Sequence, residues 1–312
     1  METATSPKPR AKRFVRPITP APMQITGRDL KLVGHIARHR FLSTEQLVRL
    51  DGGSLQGVQR CLKALFGHGY LDRPKAQLAE IPLTGPRAMV YGITRKGARL
   101  LREQGQQIDD GARWSLKNKR AGGTFIEHTL QVADFMTRLE LACQAEGGIS
   151  LLQEHEIVAR APEKTQSARE PLRWSVPGLE KQFGVSSVIA DALFGLTFPN
   201  DTAAYFLLEL DRGTMPIVRR GFDRTSIARK LAIYWEGWKR ERHVELFGLK
   251  QMRVLTVAPS RQRVDNMVAA VKDITGGGSN FFLFIERGRL MASSPLEAEW
   301  ISGKGEAVRL TD

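Results

Sequence analysis

The sequence predicts an α/β (α+β) protein with two domains, the first helical with a small sheet and the second built on a mixed sheet. A chain of 312 residues is long enough for two domains of ordinary size. Apolar residues recur at helical spacing in the first third, whereas the second half alternates between strand-like runs and amphipathic helices. The predicted parts are a basic disordered tail (1–24), a first domain (25–104), a linker (105–123), a second domain (124–290) and a C-terminal tail (291–312).

The charge balance indicates the kind of partner. The chain has 47 Lys and Arg against 33 Asp and Glu, which gives a net charge of +14. A surplus of this size is typical of proteins that bind a polyanion, and nucleic acid is the first expectation. No apolar stretch reaches the length of a membrane span, and no signal peptide follows the start, so we expect no membrane insertion and a cytoplasmic protein. Cys61 and Cys143 lack metal-ligand spacing and are predicted to be core residues.

Three helices open the first domain. Thr26 is a candidate cap for the first helix, and Ser43 or Thr44 for the second. The third helix, SLQGVQRCLKALF, ends at glycines 67 and 69. Its predicted buried stripe contains Leu55, Val58, Leu62 and Leu65. The polar side chains predicted to face outward, with chemistry suited to base edges and phosphates, are Gln56, Gln59, Arg60 and Lys63.

A β-wing is predicted after the third helix. Candidate strands at 70–73 and 88–93 flank a loop that contains Arg87, and Thr94 then caps a closing helix. The phrase "GYLDR…VYGITRKGARLL" resembles the winged helix-turn-helix family. This resemblance implies that the outward residues of the third helix, together with Arg87 at the wing tip, contact double-stranded DNA. A winged domain that serves protein contacts is the alternative.

The second domain is predicted from alternating elements. A helix at 124–146 precedes a strand at 150–158, and candidate strands at 187–197 and 203–211 are joined by a short turn as a hairpin. A long helix at 223–247 follows. Strand–helix–strand crossovers near 252–287 then suggest parallel strands added to the hairpin.

Acidic residues mark one end of this hairpin. Glu209 and Asp211 share a face of their strand because side chains alternate, and Asp191 interrupts the preceding strand. Three converging carboxylates require a compensating cation, either a metal or a Lys or Arg side chain. Mg²⁺ or Mn²⁺ is the natural metal because both prefer oxygen ligands. Lys230 lies at the border of the apolar stripe on the next helix, from which it can reach the end of the sheet.

The arrangement Asp191…Glu209-Leu-Asp211 resembles the core of restriction-endonuclease-like nucleases. That resemblance implies a mixed-sheet restriction-endonuclease-like domain in which Asp191, Glu209 and Asp211 bind Mg²⁺ or Mn²⁺. The chain departs from the pattern because Asp211 stands where a lysine is expected. Lys230 would then have to complete the catalytic set of a nicking endonuclease.

A second resemblance covers most of residues 25–285. The segments "HTLQVADF", "ADALF", "FLLELDRGT" and "ARKLAIYWEGW" are similar to the replication-relaxation family of plasmid and integrative-element proteins. This implies a bacterial protein of replication or mobilisation, with an origin of replication or transfer and other relaxosome proteins as partners, and relaxase-like nicking. One alternative is a non-enzymatic replication or transcription regulator whose second domain keeps the fold for DNA clamping or dimerisation. The acids would then pair with Arg212, Arg229 or Lys230 as a structural salt-bridge network. Another alternative is a defence nuclease.

Other chemistry-bearing residues have weaker patterns. Tyr234 and Trp235 have helix spacing and are predicted to be core residues. Glu127 is a weaker candidate ligand, and His128 is either a core histidine or a base. Glu154 and Glu156 are predicted on one strand face, where they either extend the acidic site or are simply exposed. No His-x-His strand motif and no P-loop is present.

Overall fold

The computed structural model describes residues 13–78, 88–106, 118, 121–218 and 226–312. The chain divides into two compact units, Met1–Thr137 and Arg138–Asp312. The division falls inside a long helix, later than the linker predicted at 105–123. The reason is that the first half of this helix packs with the first unit: Ala133 joins its core, and the Leu130 carbonyl accepts a hydrogen bond from Gln46 Nε2 at 2.8 Å.

The first unit combines helices with a three-stranded antiparallel sheet. Its described elements are α1 (Gly27–His39), β1 (Phe41–Ser43), α2 (Thr44–Asp51), α3 (Leu55–Gly67), β2 (Leu71–Asp72), a short 3₁₀-helix (Lys75–Leu78), β3 (Val90–Ile93), α4 (Arg95–Glu103) and the first part of α5 (Gly123–Glu146). The strand order is β1-β3-β2. This arrangement is compatible with the predicted winged helix, and β1 is an addition that the sequence pattern did not reveal.

Side-chain caps start helices α1 to α4 of the first unit. Thr26, Ser43, Ser54 and Thr94 each accept a hydrogen bond from the backbone of the first helical turn. The predictions for Thr26 and Thr94 are confirmed, and Ser43 rather than Thr44 caps α2. One expectation for α3 is wrong. Leu55 was predicted to be buried, but its position at the start of the helix leaves it 49% exposed.

Residues 13–22 pack against the first unit, although they were predicted to belong to a disordered tail. Arg16 donates hydrogen bonds to the carbonyls of Phe66 at 3.0 Å and Leu71 at 2.9 Å. Arg73 donates to the Arg13 carbonyl at 2.6 Å. The guanidinium groups of Arg16 and Arg73 also stack on the Phe66 ring, at 5.0 and 4.1 Å from its centroid. Carbonyl acceptors and an aromatic ring therefore hold this basic segment in place.

The second unit contains a seven-stranded mixed sheet. Its strands are β4 (Ser150–Leu152), β7 (Ala192–Thr197), β8 (Ala203–Leu210), β9 (Arg253–Ala258), β10 (Phe282–Glu286), β11 (Trp300–Ser302) and β12 (Ala307–Val308). Their order in the sheet is β12-β11-β10-β9-β8-β7-β4. A separate two-stranded sheet pairs β5 (Arg173–Ser175) with β6 (Ser187–Ile189). The described helices are α6 (Glu154–Val158), α7 (Glu163–Gln166), α8 (Glu180–Phe183), α9 (Ile227–Lys239), α10 (Arg242–Phe247), α11 (Arg261–Thr275) and α12 (Arg287–Ala292).

The sheet confirms the predicted topology of the second domain. Strands β7 and β8 form an antiparallel hairpin in which Ala192 lies opposite Leu208. Strand β9 adds parallel to β8 after α9, and β10 adds parallel to β9 after α11. Helices α9 and α11 pack on the face of the sheet that carries Leu207, Val254 and Phe282. They therefore cover the same face as Glu209, two residues after Leu207 on β8.

Four predicted elements differ in extent. The strand predicted at 187–197 is two strands in different sheets, β6 and β7, because the chain leaves β6 before Asp191. The strand predicted at 150–158 ends at Leu152, because Gln153 and Glu156 form a capping box that starts α6. The helix predicted at 223–247 is two helices, because Glu241 has a φ of 53°, outside the helical region. The predicted C-terminal tail contains β11 and β12, and Trp300 is fully buried.

Candidate functional site

The acids of the predicted site lie at the end of β8. Glu209 is the second-last residue of the strand, and Asp211 follows directly after it. Both side chains are about nine-tenths buried or more. Because strand side chains alternate, the neighbouring Leu208 and Leu210 point to the opposite face, as the sequence predicted.

Helix α9 supplies two partners for Glu209. Lys230 Nζ lies 2.5 Å from Glu209 Oε2, and the Tyr234 hydroxyl donates to Glu209 Oε1 at 2.6 Å. Lys230 and Tyr234 are four residues apart, so one turn of α9 directs both toward the strand. Ser226 fixes the start of α9 by accepting a hydrogen bond from the Arg229 backbone at 3.2 Å. Lys230 therefore contacts the end of the sheet, as predicted. Tyr234 is a core residue, as predicted, and its hydroxyl donates a hydrogen bond to Glu209.

The electrostatics of this group follow from its burial. Burial raises the pKa of Glu209; the charge of Lys230 opposes this shift, and the charge of Asp191 adds to it. Burial lowers the pKa of Lys230, but Glu209, Asp191 and Asp211 together raise it above its usual value. The pKa of Tyr234 is raised well above its usual value by burial and by Glu209. Lys230 therefore stays a cation, and the Tyr234 phenol stays protonated and donates.

Asp191 joins this end of the sheet through the backbone of β8. It lies between β6 and β7, where its amide donates to the Leu208 carbonyl at 2.9 Å. Its Oδ2 accepts from the Leu210 amide at 2.8 Å. The carboxylate thus pairs with the strand that carries Glu209, and its charge acts on both Glu209 and Lys230.

Asp211 is held by a second helix. Arg263 on α11 donates to both carboxylate oxygens of Asp211 and also to the Met215 carbonyl. The Gly213 amide donates to Asp211 Oδ1 at 3.0 Å. Arg263 lies 52 residues from Asp211 in the chain and was not predicted as its partner. The sequence feature that could have identified it is an arginine in the first turn of a helix that directly follows a parallel strand.

The three predicted metal ligands do not fit a shared metal ion as they are arranged. Both oxygens of Glu209 accept hydrogen bonds from Lys230 and Tyr234, and both oxygens of Asp211 accept from Arg263. In the part of the chain that the structure describes, no group of three or more His, Cys, Asp or Glu residues is placed to hold a metal. In this arrangement Lys230 and Arg263 are the cations that compensate the charges of Glu209 and Asp211.

The weaker candidates lie elsewhere. Glu127 and His128 are on the half of α5 that belongs to the first unit. Glu154 and Glu156 were predicted on one strand face, but they are in the first turn of α6, and Glu156 Oε2 accepts from the Gln153 amide at 2.8 Å. Glu156 therefore has a capping role.

The predicted DNA-reading side chains lie together on α3. All four are exposed: Gln56, Gln59, Arg60 and Lys63. The opposite side of the helix is buried in the first unit's core through Val58, Leu62 and Leu65. Arg87, predicted at the wing tip, lies outside the described residues.

An ion pair positions the start of α3. Arg28 on α1 donates to Asp51 at 2.8 and 2.5 Å, and this hydrogen bonding lowers the pKa of Asp51. The same guanidinium lies against Gly53 and Gly57, where an added Cβ would approach it to 2.6 and 3.0 Å. Small residues at these positions let Arg28 fix the entry into the exposed helix.

A comparison with known protein families assigns the chain to one of them. None of the described helices has the length and apolar character needed to cross a membrane. Neither the curated proteins nor the solved structures contain a significant match. A family model described as replication-relaxation matches residues 33–249, well over half of the chain. The chain therefore belongs to the replication-relaxation family.

Proposed function

We propose that the protein binds double-stranded DNA at an origin of replication or transfer of a mobile element, with α3 of the first unit in the major groove. The observation that carries this proposal is the exposed face of α3, where Gln56, Gln59, Arg60 and Lys63 lie opposite a buried stripe. Amide and guanidinium groups suit base edges, and the cations suit phosphates. The net charge of +14 and membership of the replication-relaxation family support the same partner.

Duplex binding tests this proposal directly. Fluorescence anisotropy with duplex DNA from the protein's own element should give an affinity that falls steeply with salt. Arg60→Ala and Lys63→Ala should each weaken binding and lower the salt slope by about one. Lys272→Ala, which removes an exposed charge from α11 in the second unit, is the matched control. Binding that ignores salt, or equal effects of all three variants, would contradict the assignment.

Metal-dependent nicking is the second candidate, and its support is the position of the predicted acids and lysine. Asp191, Glu209 and Lys230 converge at one end of the β7–β8 hairpin, and Asp211 acts electrostatically on the same lysine. The carboxylates are nevertheless engaged by protein donors, so a metal would have to displace Lys230 from Glu209 and Arg263 from Asp211. A non-enzymatic role of the second unit agrees better with these contacts.

A plasmid assay separates the two roles. Supercoiled plasmid carrying the origin is incubated with Mg²⁺ or Mn²⁺ and with wild-type protein, Asp191→Ala or Glu209→Ala. Under the non-enzymatic proposal the plasmid stays supercoiled although all three proteins bind it. Nicking by the wild-type protein that is lost in both variants would instead establish the acids as a nuclease site.

A further inference from the structure

The N-terminal end of α3 presents an apolar side chain to solvent. Leu55, the first residue of the helix, is 49% exposed. The residues that lead into it, Gly52, Gly53 and Ser54, are small and exposed, so they leave the end of the helix open to a large partner. About half of this side chain is therefore accessible for apolar contact with a partner.

Helix geometry puts this leucine beside the polar face already described. Leu55, Gln59 and Lys63 follow one another at intervals of four residues and form one row along α3. Gln56 and Arg60 form the adjacent row at the same interval. An apolar group and two amides thus occupy the first turns, and the two cations lie further along the helix.

The side chains at the start of α3 have groups that are complementary to one kind of base pair. Recognition helices contact base edges with their N-terminal residues, so Leu55, Gln56 and Gln59 are in the reading positions. A glutamine amide pairs with the N6 and N7 atoms of adenine, and an apolar side chain contacts the 5-methyl group of thymine. Both features belong to A·T pairs in the major groove. The positive charges of Arg60 and Lys63 complement the phosphates that flank them.

We propose that Leu55 is a specificity-determining residue that reads a thymine methyl group, while Gln56 and Gln59 read the neighbouring adenines, so that the recognised duplex contains A·T pairs under the start of α3. This inference rests on the proposed DNA-binding function and adds the class of sequence to it.

The test removes the methyl group from the DNA. Full-length protein selects its site from a random-sequence duplex pool, and each thymine of the selected site is then replaced by uracil, which lacks only the 5-methyl group. At one position we expect uracil to weaken wild-type binding about four-fold, which is the change in affinity expected from the burial of roughly one methyl group. Leu55→Ala should bind the thymine and uracil duplexes equally. Gln59→Ala or Gln56→Ala should lose the preference for adenine at a neighbouring pair.

A control variant and the base composition of the selected site provide two further tests of this inference. Ile18→Ala shortens another exposed apolar side chain of the first unit and should discriminate uracil as the wild-type protein does. A selected site without A·T pairs, or equal loss on uracil for wild type and Leu55→Ala, overturns the inference although DNA binding stands. If the wild-type protein enriches nothing and shows no salt-dependent binding, the proposed function itself fails.

Discussion

The contact between Glu209 and Lys230 predicts coupled stability effects. Lys230→Met removes the cation from a buried carboxylate, so we expect the free energy of unfolding to fall by roughly 2 kcal/mol, less than for a fully buried pair because the lysine is partly exposed. Adding Glu209→Gln should recover much of this loss, since the amide still accepts from Tyr234. Urea denaturation of the wild type, both single variants and the double variant measures the coupling. Simple additivity would show that the pair does not act as a unit.

His39 predicts a pH dependence of stability. Burial, with a contribution from the charges of Arg38 and His35, lowers its pKa from 6.5 to about 3. The side chain as a whole is partly exposed, but its Nε2 is buried and has no hydrogen-bond partner among the described residues. The pKa of His39 is lower in the folded state than in the unfolded state. The contribution of the neutral His39 side chain to the free energy of unfolding is therefore complete above pH 6.5 and is lost as the pH falls toward 3. Between pH 7 and pH 5 the loss reaches up to about 2 kcal/mol.

The measurement compares wild type with His39→Gln. Urea denaturation followed by far-UV circular dichroism at pH 7, 6 and 5 gives the free energy of unfolding of each protein. The variant should lose less stability than the wild type between pH 7 and pH 5. Parallel pH curves for the two proteins would show that His39 titrates alike in the folded and unfolded states.

At the level of single side chains, periodicity predicted part of the site. Strand alternation placed Glu209 and Asp211 on one face, and helix periodicity placed Lys230 within reach of it. The partner of Asp211 could not be predicted in this way. Arg263 reaches it only because β9 adds parallel to β8 and carries the start of α11 to the same end of the sheet.

At the level of secondary-structure elements, the packing of helix α9 against Trp174 depends on Gly237. A Cβ at Gly237 would lie 2.1 Å from Trp174 Nε1, inside a fully buried indole that donates to the Ile233 carbonyl at 3.3 Å. Alanine favours helices by about 1 kcal/mol over glycine, but overpacking against Trp174 should outweigh this gain. We expect Gly237→Ala to lower the free energy of unfolding by roughly 2 kcal/mol in a urea titration.

Gly277→Ala is the control for this prediction. An added Cβ at Gly277 meets nothing within 4 Å, and the residue lies in a turn after α11. Its replacement should change stability by less than about 0.5 kcal/mol. If both alanine variants unfold at the same urea concentration as wild type, the helix moves away from Trp174 at little cost.

The length of a strand explains whether it could be predicted from the sequence. Strands β7 and β8 have six and eight residues and long apolar runs, so their hairpin could be predicted. Strands β1 and β11 have only three residues each, and they form because a distant strand offers a pairing edge. Such short segments carry too little periodicity to be distinguished from loops.

Across the whole molecule, the C-terminal residues complete the second unit. Strands β11 and β12 extend the sheet beyond β10, and Trp300 lies fully buried within them. Removal of residues 293–312 should therefore abolish the cooperative thermal transition of the second unit. Trp300→Ala should lower the free energy of unfolding by about 3 kcal/mol or more.

Thermal denaturation followed by circular dichroism checks this prediction, with Trp300→Phe as the variant that keeps an aromatic ring. The Phe variant should lie between wild type and Trp300→Ala. A truncated protein that melts like the wild type would show that these residues are a tail that the second unit does not need.

The network of Glu209, Lys230 and Tyr234 has an evolutionary consequence. Glu209 contacts both Lys230 and Tyr234, so replacement of the glutamate leaves a buried cation and a phenol donor without their acceptor, and replacement of Lys230 leaves a buried carboxylate without its cation. Among descendants of a common ancestor, the three positions should consequently change together. A lineage that replaces the glutamate by an uncharged residue should soon exchange the lysine as well, and an alignment of the family would record these paired replacements as covariation.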